Sequence, residues 1–119
     1  MDFPLNPPLE KGAKVIVQST GESFLLKMGL NVLGRKSPKS LANIQIPNVT
    51  GENKTSREHL VIAVDKRNGK WAFTASLYKD SARPVSVGNE TIVYGQWKSL
   101  QPGDLIVLPD ETLLLVVDE

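Results

Sequence analysis

The sequence predicts an all-β domain, a sandwich or a barrel, from three observations. Roughly ten short runs rich in β-branched residues follow one another at near-regular spacing, as strands do in such folds. Turn-forming residues such as glycine, proline and asparagine separate these runs. No window of about 11 residues shows the 3.6-residue apolar period of an amphipathic helix. Because strands are committed to the core, we expect the function to lie on the loops.

Each predicted strand is a run of apolar or alternating residues between turn signals. In chain order the runs are 14–18, 24–27, 31–35, 43–47, 59–65, 71–75, 84–87, 91–94, 105–108 and 113–117. Asn68-Gly69 is the clearest hairpin turn, because both residues readily take the positive φ angles that a two-residue turn needs. Trp71 and Phe73 alternate within one run, so we expect them to share a face and pack in the core.

The length and composition favour one domain that binds neither metal nor nucleic acid. The chain has 119 residues, which we divide into a Pro-rich flexible tail, 1–12, and a β-domain, 13–119. The net charge of +1 lacks the basic excess of a general nucleic-acid binder. With no cysteine and one histidine, the sequence predicts no disulfide, no metal site and no cofactor.

The N-terminus has an early aspartate and three prolines but no apolar run, so it does not have the pattern of a signal peptide. No stretch approaches the roughly 20 apolar residues of a membrane span. We therefore expect a cytoplasmic protein that does not insert into membranes.

Gly34 and Arg35 end the third predicted strand. A glycine, which lacks Cβ, lets a ligand or a neighbouring loop approach closely. The planar fork of donors on Arg35 suits an oxyanion. On the residues alone, an ordinary solvated arginine remains the alternative.

Loop 47–58 is long and polar, and it ends with Lys54, Thr55, Ser56 and Arg57. A hydroxyl and the backbone N–H groups of a tight turn can form an anion-binding concavity. An arginine beside them adds charge-assisted hydrogen bonds. On composition alone, a solvated loop without a ligand remains the alternative.

His59 is the only histidine, and it follows Ser56 by three residues. A nucleophile and base pair would also need an orienting acid and an oxyanion hole, and the sequence has no G-x-S-x-G elbow. No carboxylate pair or metal cluster indicates another chemistry, so an enzyme is not predicted. We expect the ring of His59 to bond backbone groups and to hold the loop that presents Ser56.

Several of these motifs occur in one order along residues 13–118: Gly34-Arg35, Ile44-Gln45-Ile46, Ser56-Arg57-Glu58-His59, Trp71 and Gly103-Asp104-Leu105-Ile106. The ordered set resembles the forkhead-associated (FHA) domain, whose members bind phosphothreonine peptides. The resemblance implies an FHA-like sandwich of about eleven strands in two twisted antiparallel sheets, with the peptide bound by loops at one end. It also implies that Arg35 contacts the phosphate or the peptide backbone and that Ser56 bonds a phosphate oxygen. Arg57 would then be a second cation, and Gly34 and His59 would support the site.

The sequence departs from the FHA pattern after the strand that carries Trp71. Most members have Asn-Gly-Thr there, and the asparagine bonds the peptide backbone. This chain has Arg83-Pro84-Val85 instead, and a later Gly88-Asn89 reverses a second Asn-Gly. Arg83 either substitutes for the asparagine or is a surface residue on a site that has lost its ligand.

The sequence thus predicts a phosphothreonine-binding adaptor in kinase-linked signalling, whose partner is a phosphothreonine-containing protein. The predicted phosphopeptide contacts are Arg35, Ser56, Arg57 and Arg83, with Lys36, Lys54, Thr55 and Asn89 as additional candidates. The alternative is a degenerate FHA-like domain that serves phosphate-independent protein interaction or assembly.

Overall fold

A computed structural model of the chain describes residues 12–47 and 54–118. The predicted tail lies outside the described residues except for Gly12, which is buried beside Leu25 and Trp71. The centre of loop 47–58 also lies outside them. In the described part of the chain, no helix is long and apolar enough to cross a bilayer.

Eleven strands in the described residues form two sheets. In chain order they are β1 (Lys14–Val17), β2 (Ser23–Leu25), β3 (Gly29–Arg35), β4 (Ile44–Ile46), β5 (Leu60–Arg67), β6 (Lys70–Leu77), β7 (Val85–Val87), β8 (Glu90–Ile92), β9 (Lys98–Leu100), β10 (Leu105–Val107) and β11 (Leu113–Val117). One sheet has the order β2-β1-β11-β10-β7-β8, and the other has the order β4-β3-β5-β6-β9. The predicted all-β sandwich is confirmed.

The core is built from alternate residues of strands in both sheets. Strand β5 buries Leu60, Ile62 and Val64, and β11 buries Leu114 and Val116, while the residues between them are partly exposed. This is the two-residue period of a strand with one face on the core. Burying each such side chain contributes about 1.5–3 kcal/mol.

Strands β5 and β6 form the longest hairpin, which pairs Leu60 with Leu77 at one end and Arg67 with Lys70 at the other. The predicted turn is confirmed, since Asn68 and Gly69 have φ angles of 52° and 77°. Phe73 of β6 is in the core. Trp71 is half-buried against the core, and the Nζ of Lys66 lies 5.0 Å from its ring centroid, within cation–π range.

One strand pair differs from the expected antiparallel arrangement. Strands β3 and β4 are parallel, with Leu33 beside Ile44 and Arg35 beside Ile46. The C-terminal ends of both strands therefore lie at the same end of the five-stranded sheet. Because β5 is antiparallel to β3 and β6 is antiparallel to β5, β5 begins and β6 ends there as well. We call this end of the sheet the loop end. Loops 36–43, 47–59 and 78–84 lie there.

Ile62→Ala should lower the free energy of unfolding by about 2–5 kcal/mol, because it opens a cavity at a fully buried position of β5. Leu30 on the adjacent β3 is 61% exposed, so Leu30→Ala is the matched control and should change stability by less than about 1 kcal/mol. Urea unfolding followed by tryptophan fluorescence measures both. Equal losses in the two variants would contradict the placement of the core.

Candidate functional site

Gly34 lies against the backbone of loop 47–59. A Cβ added at Gly34 would stand 1.9 Å from the carbonyl oxygen of Arg57 and 2.8 Å from that of Ser56. Backbone atoms cannot move aside as a flexible side chain can, so no larger residue fits here. The missing Cβ lets the loop press directly on β3.

Arg35 is tied to this loop by two hydrogen bonds. Its backbone N–H donates to the Ser56 carbonyl at 2.9 Å, and its Nε donates to the Thr55 carbonyl at 3.0 Å. Arg35 is half-buried, and the Nε bond fixes the orientation of the guanidinium plane. The two terminal nitrogens of the fork keep their donors for an anion.

Ser56 and Arg57 form the loop side of the contact with Gly34. The Ser56 backbone N–H donates to Nδ1 of His59 at 2.9 Å. The Ser56 hydroxyl is partly exposed and, within the part of the chain described, has no hydrogen-bond partner. Arg57 is exposed, and its carbonyl accepts a hydrogen bond from the Ser40 hydroxyl at 2.9 Å. Ser56 and Arg57 therefore lie on one fixed backbone segment, and Arg35 is bonded directly to it.

His59 is fully buried and bridges two loops. Its Nδ1 accepts from the Ser56 N–H, so Nε2 carries the proton and donates to the Arg83 carbonyl at 2.8 Å. Both bonds are satisfied only by the neutral ring with its proton on Nε2. His59 therefore holds the Ser56 backbone and the Arg83 backbone at a fixed spacing.

The surroundings of His59 favour this neutral form. Burial lowers the pKa of His59 below its usual value, and the positive charges of Arg83 and Lys79 lower it further. The hydrogen bond to the Arg83 carbonyl and the charge of Asp110 oppose this, but the net direction is downward.

The loops at this end are joined by further hydrogen bonds. Ser40 in loop 36–43 holds the Arg57 carbonyl, and the carboxylate of Glu58 accepts from the Leu41 N–H at 2.9 Å. Neither Ser40 nor Glu58 was singled out from the sequence. Their partners lie 17 residues away, so no local pattern marks them.

Of the additional candidates, some lie at the loop end and one lies apart. Lys36 is exposed next to Arg35, and Lys54 is exposed near Ser56. Thr55 is only 2% exposed and contributes its carbonyl to Arg35. Asn89 is in the β7–β8 turn, at the opposite end of β7 from Arg83, roughly 10 Å along the strand.

A small cleft that Arg35 helps to line also contains a buried carboxylate, Asp110, which was not predicted from the sequence. Its lining residues are Arg35, Ile46, Pro47, Thr55, Leu108 and Asp110. Asp110 is 4% exposed, and its Oδ1 accepts from the Thr112 N–H at 3.1 Å. The Thr55 hydroxyl is buried without a hydrogen-bond partner among the described residues. The Asp-x-Thr pattern at 110–112 was the available signal, since it is typical of a side chain that closes a turn.

Among the described residues, no group of three or more acidic or histidine side chains is arranged to hold a metal ion. What the loop end offers is N–H and O–H donors on fixed backbone, with positive charge around them. Such a set suits an oxyanion.

The fold is shared with several solved structures. The FhaA FHA domain, solved in complex with the intracellular domain of Rv3910, superposes with a TM-score of 0.66 at 23% identity, covering 87% of this chain and 98% of that one. The MEK1 FHA domain, solved with a phosphothreonine peptide of HOP1, gives 0.69 at 14% identity, covering 92% and 99%. Full-length yeast Pml1p gives 0.71 at 18% identity, covering 97% and 87%.

The chain has the FHA fold. No protein-family model matches it, and no curated protein matches it in sequence. The likeness therefore rests on structure, and it covers nearly the whole of the described chain. In this FHA fold, the loop end carries all the residues predicted as principal phosphopeptide contacts.

Gly34→Ala should destabilise the domain by several kcal/mol or detach loop 47–59 from β3, because the new methyl group overlaps the Arg57 backbone. Gly12→Ala is the control: its Cβ would make only ordinary contacts of 3.7 Å or more. Urea unfolding and amide hydrogen exchange at Arg35 and Ser56 measure the two effects. A Gly34→Ala protein with unchanged stability and exchange would refute the close contact.

The lowered pKa of His59 makes stability pH-dependent. Below about pH 6.5, the usual pKa of an unfolded histidine, the unfolded chain takes up a proton that the folded chain resists. The free energy of unfolding should therefore be highest above that pH and fall as the pH drops toward the folded-state pKa. Because the chain has one histidine, His59→Gln should flatten this slope between pH 7.5 and 5.5. Unfolding curves at several pH values test it, and an equal slope in both proteins would disprove the assignment.

Proposed function

We propose that this domain binds phosphothreonine peptides and serves as an adaptor between a protein kinase's substrates and other cytoplasmic proteins. The observation that carries the proposal is that Arg35 at the end of β3 is bonded to the loop segment of Ser56 and Arg57, which Gly34 and His59 hold in place. The phosphothreonine would be received at the loop end, with its phosphate between the two guanidinium groups and the Ser56 hydroxyl.

The chemistry of the ligand matches these donors. A phosphothreonine carries about −1.5 to −2 charges and three acceptor oxygens. Arg35 offers the terminal nitrogens of a fork already oriented by its bond to Thr55, so little conformational entropy is lost when it binds. Ser56 offers a hydroxyl whose hydrogen is not used elsewhere in the described residues. These are the elements of phosphate recognition by arginine clusters.

The peptide backbone would be received by loop 78–84. The FHA pattern has an asparagine where this chain has Arg83, and the long guanidinium is exposed there. Its backbone is fixed by His59, and the following proline restricts Arg83 to extended conformations. Arg83 could thus donate to the ligand from a defined position. The MEK1 FHA domain in its phosphothreonine-peptide complex supports peptide binding by this fold in general.

A phosphothreonine peptide from a degenerate library should bind with a micromolar Kd, which corresponds to about −8 kcal/mol. Arg35→Ala should weaken binding by roughly 2–5 kcal/mol, because a partly desolvated phosphate would lose its main partner. Titration calorimetry with the selected peptide measures both values.

Arg67→Ala is the matched control for Arg35→Ala. Arg67 lies at the opposite end of the five-stranded sheet, paired with Asp65 at 3.2 Å, and its side chain is 74% exposed. The Arg67→Ala substitution removes the same charge from the protein but leaves the loop end intact, so the affinity for the phosphopeptide should stay unchanged. Equal affinity for the phosphorylated and dephosphorylated peptide would instead favour phosphate-independent interaction, the alternative that the Arg83-Pro84-Val85 departure suggests.

A further inference from the structure

Loop 78–84 carries two cations beyond those that a single phosphate would engage. Arg83 and Lys79 are both exposed, and neither has an ion-pair partner in the described part of the chain. The Arg83 carbonyl accepts from the His59 ring at 2.8 Å, and Tyr78, the residue before Lys79, donates its N–H to the His59 carbonyl at 2.8 Å. They therefore stand beside the Ser56 segment, and not on a remote face.

The spacing between this second pair and the phosphate donors is fixed by the fold. The Ser56 nitrogen and the Arg83 carbonyl oxygen are separated by two hydrogen bonds, of 2.9 Å and 2.8 Å, and the imidazole ring between them. An extended peptide covers that distance in roughly two to three residues. A ligand residue within about three positions of the phosphothreonine can therefore reach the Arg83 guanidinium.

The charge of the loop end exceeds what one phosphate neutralises. Its three loops and Arg35 contain seven of the chain's 14 basic residues but only three of its 13 acidic residues, Glu52, Glu58 and Asp80. The carboxylate of Glu58 is occupied by the Leu41 N–H. The whole chain is nearly neutral, so this excess is a local feature and attracts an anionic ligand.

Resting on the proposed function, we propose that the ligand carries a second anionic group within about three residues of its phosphothreonine, and that Arg83, assisted by Lys79, binds it. The group is a second phosphate or a carboxylate of aspartate or glutamate; both present acceptor oxygens to a guanidinium. In this chain the loop that follows β6 thus recognises charge in the ligand, using the residue that replaces the asparagine of the FHA pattern.

The test uses synthetic peptides with one phosphothreonine in an alanine background. Aspartate or phosphoserine is placed singly at each of the three positions on either side, and each Kd is measured by fluorescence anisotropy. A second phosphate at the best position should tighten binding about tenfold, and aspartate about threefold. Comparing the Kd values of the phosphoserine and aspartate peptides shows which anion the domain prefers.

The gain in affinity from the second anionic group should depend on loop 78–84. In Arg83→Ala, the ratio between the affinities of the acidic peptide and the alanine-background peptide should fall to less than about twofold, whatever affinity the alanine-background peptide itself loses. Lys79→Ala should reduce the gain partly, and Arg67→Ala not at all. Arg83→Glu should reverse the preference toward lysine at the same position. The Arg83 backbone carbonyl remains in every variant, so a titration of the His59 ring by NMR verifies that its bridge persists.

The outcomes separate this inference from the proposed function. If the alanine-background phosphopeptide binds through Arg35 but no acidic position adds affinity, or if the gain survives Arg83→Ala, the second anion site is wrong and the first stands. If acidic peptides bind equally well without the phosphothreonine, the proposed function itself fails, and the loop end is a general anionic-peptide surface.

Discussion

At Gly34 the backbone of β3 lies so close to the carbonyl of Arg57 that no Cβ can stand between them. The position of residues 55–57 at the loop end follows from this contact. It brings the Ser56 carbonyl within reach of the Arg35 N–H and the Thr55 carbonyl within reach of the Arg35 side chain. Residues 55–57 are therefore held against the sheet, which fixes the backbone that carries their polar side chains.

The His59 bridge and the cations around it support each other. A neutral ring is required for Nδ1 to accept from Ser56, and the charges of Arg83 and Lys79 disfavour the protonated ring. The cluster that suits an anion thus also maintains the tautomer that positions Ser56. A buried histidine is usually costly unless both nitrogens are satisfied, and here both are.

The strands could be predicted because each buries every second side chain, and that period is local. The short strand β9 escaped prediction, because among its three residues only Leu100 is buried. At the site, the roles of Gly34 and His59 were expected from the residues themselves, and the ordered motifs of a known family implied the same roles. Ser40 was missed because its partner is distant in sequence, which composition and periodicity do not reveal. Asp110 has a local Asp-x-Thr turn pattern, but that pattern does not show that its carboxylate lies in the cleft with Arg35.

The pairing of β1 with β11 has a consequence for how the domain can be joined to other chains. Lys14 lies opposite Val117, so the chain enters and leaves the sandwich side by side. The neighbouring Gly12 is beside Trp71, at the end of the five-stranded sheet away from Arg35. At Gly12 and at Val117 the chain therefore joins the sandwich at the end opposite the loops. The domain can therefore be inserted into a host protein or anchored to a surface through both termini while its loops stay accessible.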